Sequence, residues 1–278
     1  MHESRRYAQA FSRSVFADIL RWSDSEILTL LCRANMRTGD ETYMDCLHRF
    51  YSLMKLYYRC EYVFKNEMIA ELKKQYAQRQ SLVVNEFRVG NSIADLAFFN
   101  GESRAYEIMT SYDSPRRLED QMNDYHRVFD KCYLVVEQSE VDNWKDYDED
   151  VGIIAFCHGP RGKITIEEVR PSKTNEHIDV DVLMTCLRAD EYEYIAEHFA
   201  GAQLSESKYK HFEECKSVLK HMGDQKLHDA FLKTIEKRTS SFSLLRQTPH
   251  ELYQICISMH LNSKQLDIIT NSLNNQII

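Results

Sequence analysis

The chain predicts a mixed α/β sheet set between two helical regions, and three observations carry that reading. Glycine and proline number only 8 and 4 in 278 residues, against average usage of roughly 7% and 5%, so few positions interrupt regular structure. Five of the 8 glycines, at 90, 101, 152, 159 and 162, fall within residues 81–172, where short apolar runs replace helical spacing. Those runs come in the order helix, three strands, helix, strand, which describes a mixed sheet.

The division that follows is an N-terminal helical region at 1–58, a core at 59–172 and a C-terminal helical region at 173–278. In the first, Ser23-Asp24-Ser25-Glu26 has the form of a capping box, followed by Ile27, Leu28, Leu30 and Leu31. Beyond Gly39, Tyr43, Leu47, Phe50, Met54 and Tyr57 recur at helical spacing, and Val63, Phe64, Met68 and Leu72 continue the pattern. That stretch is long for one globular helix, so a break is expected near Arg59–Glu61. In the core, SLVVNEFRV, SIADLAFFN and SRAYEIMT read as strands, with Asn100-Gly101 as a hairpin turn. Asp113-Ser114-Pro115 opens a helix, Ser114 suiting the cap and Pro115 the first helical position. Its buried face carries Leu118, Met122, Tyr125 and Phe129. KCYLVVE, VGIIAFC and KITIEEV are further strands, the last two set off by the acidic loop DNWKDYDED. Helical patterning then returns, punctuated by Gly201, Gly223 and Pro249.

Composition excludes several classes. No apolar run approaches the roughly 18 residues that a membrane span needs, and MHESRRYAQAFSRSVF lacks the unbroken apolar stretch of a secretory signal. A cytoplasmic protein away from membranes is expected. The 8 cysteines lie at least 14 positions apart, without CxxC spacing, so they read as reduced thiols filling core space. There is no HExxH, and His177, His198, His211, His221 and His228 read as surface or capping residues. P-loop, GxGxxG and GxSxG motifs are lacking. The net charge of −8 argues against general DNA affinity but leaves room for a local basic face.

Three acids stand on the strand-like runs: Glu86 in VVNEFRV, Asp95 in SIADLAFF and Glu107 in RAYEIMT. Carboxylates among apolar neighbours are costly to bury unpaired. Converging, they form the oxygen-rich site of a hard divalent cation. The Asn100-Gly101 turn would bring the Asp95 and Glu107 strands together.

At these residues the chain resembles the PD-(D/E)xK nuclease superfamily, whose core places Asp on one strand and Glu-x-Lys on the next. Asp95 and Glu107-Ile108-Met109 match that pattern, and Gln121 and Tyr125 reproduce the QxxxY helix motif of its RecB-like branch. The ordered fragments EYVFKN, NEFRVG, IADLAFFNG, YEI, DSPRRLEDQ and YHRVFDKCYLVV are similar to a small bacterial family of uncharacterised nuclease-like proteins, over about residues 59–137. The resemblance implies a restriction-endonuclease-like mixed sheet. It implies Mg²⁺ (or Mn²⁺) held by Asp95, Glu107 and the Ile108 carbonyl, extended by Glu61 or Glu86. Gln121 and Tyr125 would line the site. Arg117, Arg116 and Lys65 would contact nucleic acid, with DNA as the expected partner and phage defence or DNA processing as the setting. The flanking helices suit a homodimer or a partner subunit.

One position departs from the family. Met109 stands where the motif has its catalytic lysine. Methionine matches lysine in length but carries neither charge nor N–H donor, so a chain that cleaves very slowly or not at all is expected. Met109 marks either a naturally inactive descendant or a lysine replaced to trap a substrate; Lys65 or Arg88 as a stand-in is a third reading. The alternative function is a catalytically dead nuclease fold used as a DNA-binding or assembly subunit.

Overall fold

A computed structural model describes residues 2–76, 81–110, 113, 115–238 and 242–277. Helices open it: α1 (His2–Tyr7), α2 (Arg13–Trp22), α3 (Glu26–Asn35), α4 (Tyr43–Tyr57) and α5 (Glu61–Tyr76). The long periodic stretch is broken between Tyr57 and Glu61, where expected. The capping box expected at Ser23–Glu26 does not form. Ser23 instead adopts a left-handed φ of 60° and ends α2, its N–H donating to Ile19 O at 2.8 Å. Ser25 precedes α3 without a side-chain cap, while Asp24 Oδ1 accepts from the Ser25 N–H (2.7 Å) and the Thr29 hydroxyl (3.0 Å). Only two residues separate Trp22 from Asp24's neighbour Ser25, so Ser23 is consumed in ending one helix and cannot start the next. A complete box forms at α4, where Asp45 N–H donates to Thr42 Oγ1 and Thr42 N–H to Asp45 Oδ2.

The sheet follows: β1 (Leu82–Val89), β2 (Ser92–Phe99) and β3 (Ser103–Ile108), then α6 (Leu118–His126), β4 (Lys131–Glu137), α7 (Val141–Trp144), β5 (Gly152–His158) and β6 (Ile164–Arg170). The six strands lie in chain order, β1-β2-β3-β4-β5-β6. β1, β2 and β3 are antiparallel neighbours, and β4 lies parallel to β3 after the α6 crossover, as a mixed sheet requires. The Asn100-Gly101 turn joins β2 to β3, with Gly101 at φ 69° and Phe99 facing Ser103.

The start of the crossover helix differs from expectation. Ser114 lies outside the described residues. Pro115–Arg117 form a 3₁₀ turn and α6 begins at Leu118, so Arg116 and Arg117 precede the α-helix rather than filling its first turn. Arg117, at φ −108° and ψ −2°, stands at the junction of the two segments without a side-chain cap. The expected face is buried: Leu118, Met122, Tyr125 and Phe129 all join the core.

The chain closes with α8 (Val180–Cys186), α9 (Ala189–His198), α10 (His211–Leu219), α11 (Asp224–Ile235), α12 (Phe242–Leu245), α13 (Tyr253–Ser258) and α14 (Ser263–Leu273). Two of the histidines read as surface residues are engaged instead. His211 Nδ1 lies 2.8 Å from Glu193, and His228 Nε2 lies 2.6 Å from Asp130. Their carboxylate partners come from distant sequence positions, which spacing alone does not reveal. No helix among the described residues is long and apolar enough to cross a membrane.

By compactness the chain forms two units. The first comprises Met1–Ala77, Phe156–Glu167 and Ser241–Ile278; the second comprises Gln78–Ala155 and Glu168–Ser240. In the first, Tyr7 stacks on Phe50 at 4.4 Å, and Thr42 bridges to Gln276 near the C-terminus. In the second, Phe99 meets Phe87, Phe129 and Phe231 with ring centres 5.5 to 5.9 Å apart. These aromatic contacts centre a core on β1, β2, α6, β4 and α8–α11.

Candidate functional site

The site begins with an irregularity in the β1–β2 hairpin. A regular strand shows every second residue to one face. Here Leu82, Val84, Phe87 and Val89 of β1 all pack on the second unit's core, as do Ala94, Ala97 and Phe99 of β2. The alternation therefore slips by one residue in both strands. The pairing shows where: Asn85 faces Leu96 and Phe87 faces Ala94, but Glu86 and Asp95, opposite in the same register, form no ladder pair. Glu86 takes a φ of 56°, a left-handed backbone that costs a non-glycine residue about 1 to 3 kcal/mol. Paired bulges of this kind re-aim side chains without shifting register.

The same irregularity frees Asp95 for a second task. The β2–β3 ladder runs from Phe99–Ser103 to Leu96–Tyr106 and stops. In its place, Asp95 Oδ2 accepts the Ile108 N–H at 2.8 Å. The N–H and C=O of one strand residue point the same way, so the Ile108 carbonyl is directed toward the Asp95 side. Glu107, 7% exposed, precedes it. Its Oε1 accepts from Gln121 Nε2 and its Oε2 from the Tyr125 hydroxyl, each at 2.7 Å. The Tyr125 hydroxyl also lies 2.8 Å from Ile93 O. Burial, then the charges of Glu107 and Asp95, push the Tyr125 phenol far above its ordinary value, so it stays protonated and donates. One hydroxyl thus senses both carboxylates, and Gln121 and Tyr125 reach Glu107 from one face of α6.

A further acid, which the sequence reading did not single out, holds that helix in place. Asp124 Oδ2 accepts from Asn91 N–H (3.1 Å) and the Ser92 hydroxyl (2.7 Å), tying α6 to the β1–β2 turn. A side chain at Gly90, φ 60°, would meet the Asp124 carboxylate at 3.0 Å, so glycine is required there. The sequence signal was present as a Gly90-Asn91 turn, but its partner lay on a helix 34 residues later.

Met109 follows β3 on the Glu107 side of the alternation, its N–H bonded to Val135 O at 2.9 Å. Its side chain packs against the second unit's core. The other named residues are disposed differently. Glu86 and Arg88 are exposed on β1. Glu61 is exposed in the first unit and pairs with Lys65, whose side chain is 2% exposed. Lys65 is therefore not the surface cation expected of a nucleic-acid contact. Arg116 and Arg117 are both exposed, and neither makes an ion pair among the described residues.

The residues able to hold a hard cation are Asp95, Glu107 and the Ile108 carbonyl. Two carboxylates and a carbonyl are all-oxygen donors, which suit Mg²⁺ or Mn²⁺ with water completing the shell. Among the described residues no group of three His, Cys, Asp or Glu side chains stands together as a metal-holding set.

Comparison with known proteins adds one family. Residues 54–258 match the family described as bacteriophage P4 protein cII. Protein cII of Enterobacteria phage P4 is 34% identical over 97 residues, covering 33% of this chain and 36% of that protein. The aligned part thus spans about a third of that relative's own length. A solved structure, the SPO1766 protein of unknown function from Silicibacter pomeroyi, gives a TM-score of 0.31 at 12% identity, covering 49% of this chain and 89% of that one.

Proposed function

The chain belongs to the bacteriophage P4 protein cII family, and we propose that in this member Asp95 and Glu107 form the divalent-metal site of a PD-(D/E)xK nuclease-type protein. The proposal comprises a restriction-endonuclease-like core, DNA phosphodiesters as substrate, and a role in phage defence or DNA processing. What supports it is one juxtaposition: Asp95 on the Ile108 N–H, Glu107 gripped by Gln121 and Tyr125, and Met109 two residues on. Bound Mg²⁺ or Mn²⁺ would polarise the phosphate and acidify the attacking water.

The chain's own residues would divide the remaining work. Asp95 and Glu107 supply charge at fixed positions. Gln121 and the protonated Tyr125 fix the Glu107 carboxylate. Arg117, exposed ahead of α6, would contact a phosphate. Met109 fills the lysine's space and cannot stabilise charge developing on the phosphate. Removing one such preorganised group costs about a hundred- to a thousand-fold in rate, so the chain as it stands binds metal and is inactive or very slow.

A second reading has its own observation. Met109 packs on the core, which suits a chain kept for shape, a dead nuclease fold serving as a DNA-binding or assembly subunit through its helical regions. Met109→Lys separates the two. The nuclease reading expects Mg²⁺-dependent cleavage of plasmid DNA to rise by about a hundred-fold or more, and Glu107→Ala in that background to abolish the gain. Calorimetry with Mn²⁺ should show binding before and after the change. A folded, metal-bound Met109→Lys that stays silent on single-stranded, duplex and branched DNA hands the argument to the binding subunit. Cleavage by the unaltered chain that disappears in Lys65→Met would assign the missing charge to Lys65.

A further inference from the structure

The helix α3 is apolar on two faces, and only one of them is covered. Leu28 and Cys32 are buried within the first unit. Polar bonds hold the helix in place there. The Thr29 hydroxyl lies 2.9 Å from that of Tyr43 on α4, and the Tyr7 hydroxyl donates to Asn35 Oδ1 at 3.0 Å. On the other side Leu30 is 58% exposed and Ile27 41% exposed, with Ala34 exposed one turn beyond Leu30. Leu31 is half-buried at the edge of the same face. Positions 27, 30, 31 and 34 follow the spacing of a coiled-coil seam. A helix apolar all round belongs in an interior, and this one has an interior on one side only.

The exposure is concentrated in this part of the chain. Trp22, 70% exposed, ends α2 just before α3 begins at Glu26, so three large apolar side chains crowd residues 22–30. Elsewhere among the described residues, exposed apolar side chains of that size come singly or in twos.

The charges beside the stripe say what covers it. Glu26 and Arg33 flank it on one side, both exposed, opposite in sign and two helical turns apart. A second α3 laid antiparallel across the first would bring Leu30 against Leu31, Ile27 against Ala34, and Glu26 of each copy beside Arg33 of the other. The two-fold axis would pass between Leu30 and Leu31, so the patch is its own complement, as an isologous interface requires. Ile27 would meet the smallest residue of the stripe, a knob set against a gap. The positive end of each helix would lie beside the negative end of the other. A parallel pairing forfeits all of this, since Ile27 meets Ile27 and like charges gather at the same end.

We propose that the chain is a two-fold homodimer whose interface is the outer face of α3, packed antiparallel on the same helix of a second copy. Leu30 stands at the centre, and the Glu26–Arg33 pairs at the two rims set the direction. The proposal does not draw on Asp95 and Glu107, which lie in the second unit. One helix of 10 residues offers a small face beside the roughly 800 Å² per partner of a standard interface, so the dimer should dissociate on dilution.

The test is sedimentation velocity on the whole chain from about 1 to 100 μM. The wild type should pass from monomer to dimer over that range. Leu30→Glu should weaken association about tenfold or more, while the monomer keeps its circular dichroism and thermal unfolding. Glu26→Arg and Arg33→Glu should each weaken it about fivefold, and the double exchange of Glu26→Arg with Arg33→Glu should restore it. Only the antiparallel pairing, with Glu26 beside Arg33 of the other copy, gives that restoration. A wild type that stays monomeric at about 100 μM overturns the proposal. So does a dimer indifferent to Leu30→Glu, or one that the double exchange leaves as weak as the single changes. Should Arg33→Glu fail to fold, Glu26→Arg decides alone, and association unchanged by it overturns the antiparallel interface.

Discussion

The β2 strand has two ends that obey different rules. Near the Asn100-Gly101 turn the ladder is unbroken, the side chains alternate, and buried polar groups are tied to local partners. Ser103 N–H and its hydroxyl donate to Asp130 Oδ2 at 2.6 and 2.9 Å, and Ser103 Oγ accepts the Asp130 N–H at 3.0 Å. At the other end the ladder stops, the alternation slips, and a carboxylate replaces a strand as the partner of the Ile108 N–H. Regular pairing consumes every backbone group and directs side chains by parity. Where pairing lapses, backbone polar groups are released, and this chain places its acids there. Regular and irregular pairing are thus separated along a few residues of one strand.

The largest expected effect tests the regular end. Asp130→Ala would strand the Ser103 N–H and remove the partner of His228, and breaking a buried pair on one side costs about 3 kcal/mol or more. Urea unfolding should register that loss while Mn²⁺ affinity stays unchanged. Loss of metal affinity in a folded Asp130→Ala would mean that the two ends are not separable.

The same pair predicts a pH profile. The hydrogen bond to Asp130 raises the His228 value against the opposing effect of burial. Its stabilisation is therefore complete below the unfolded histidine value and is lost as pH rises through the higher folded one. For Asp130, burial pushes the value up, but His228 and Ser103 prevail and hold it low. That contribution is present above the unfolded carboxylate value and is lost as pH falls through the folded one. The pair thus stabilises most between about pH 4 and 6.5. His228→Gln should flatten the decline on the alkaline side, as seen in thermal unfolding across that range.

At the irregular end, Glu86→Gly relieves a left-handed backbone and should raise stability by about 1 kcal/mol. If Glu86 also serves the metal, the gain comes with weaker Mn²⁺ binding. Stabilisation with unchanged affinity would confine its role to shaping the bulge. The smallest effect concerns Arg117→Ala, which should reduce the salt dependence of DNA binding by about one phosphate contact. An unchanged slope removes Arg117 from the interface.

Much of this architecture is legible in the chain. The Gly90-Asn91 and Asn100-Gly101 turns, the apolar runs and the Gln121–Tyr125 spacing mark the strands and the helix around the acid pair. The slip at Glu86 is not legible, because its sign is a backbone angle at an ordinary glutamate and hydrophobic alternation averages over it. Asp124 and His228 escaped for a different reason. Their partners lie 32 or more positions away, so only the folded chain pairs them. The misplaced capping box at Ser23 shows the converse failure. A correct local motif lost to the ending of the preceding helix, which claimed the same residue.

The bond from Ile108 to Asp95 has a consequence for what position 95 must supply. Asp95 is a strand splice as well as an acid: it closes the gap where β2 parts from β3. A foldable chain therefore needs an acceptor at position 95 whether or not the carboxylate holds a metal, while position 109 serves through its N–H on Val135 O and its packing on the core. Asn at position 95 keeps an oxygen for the Ile108 N–H and discards the charge. A folded Asp95→Asn that still binds Mn²⁺ as tightly would identify this carboxylate as architecture alone.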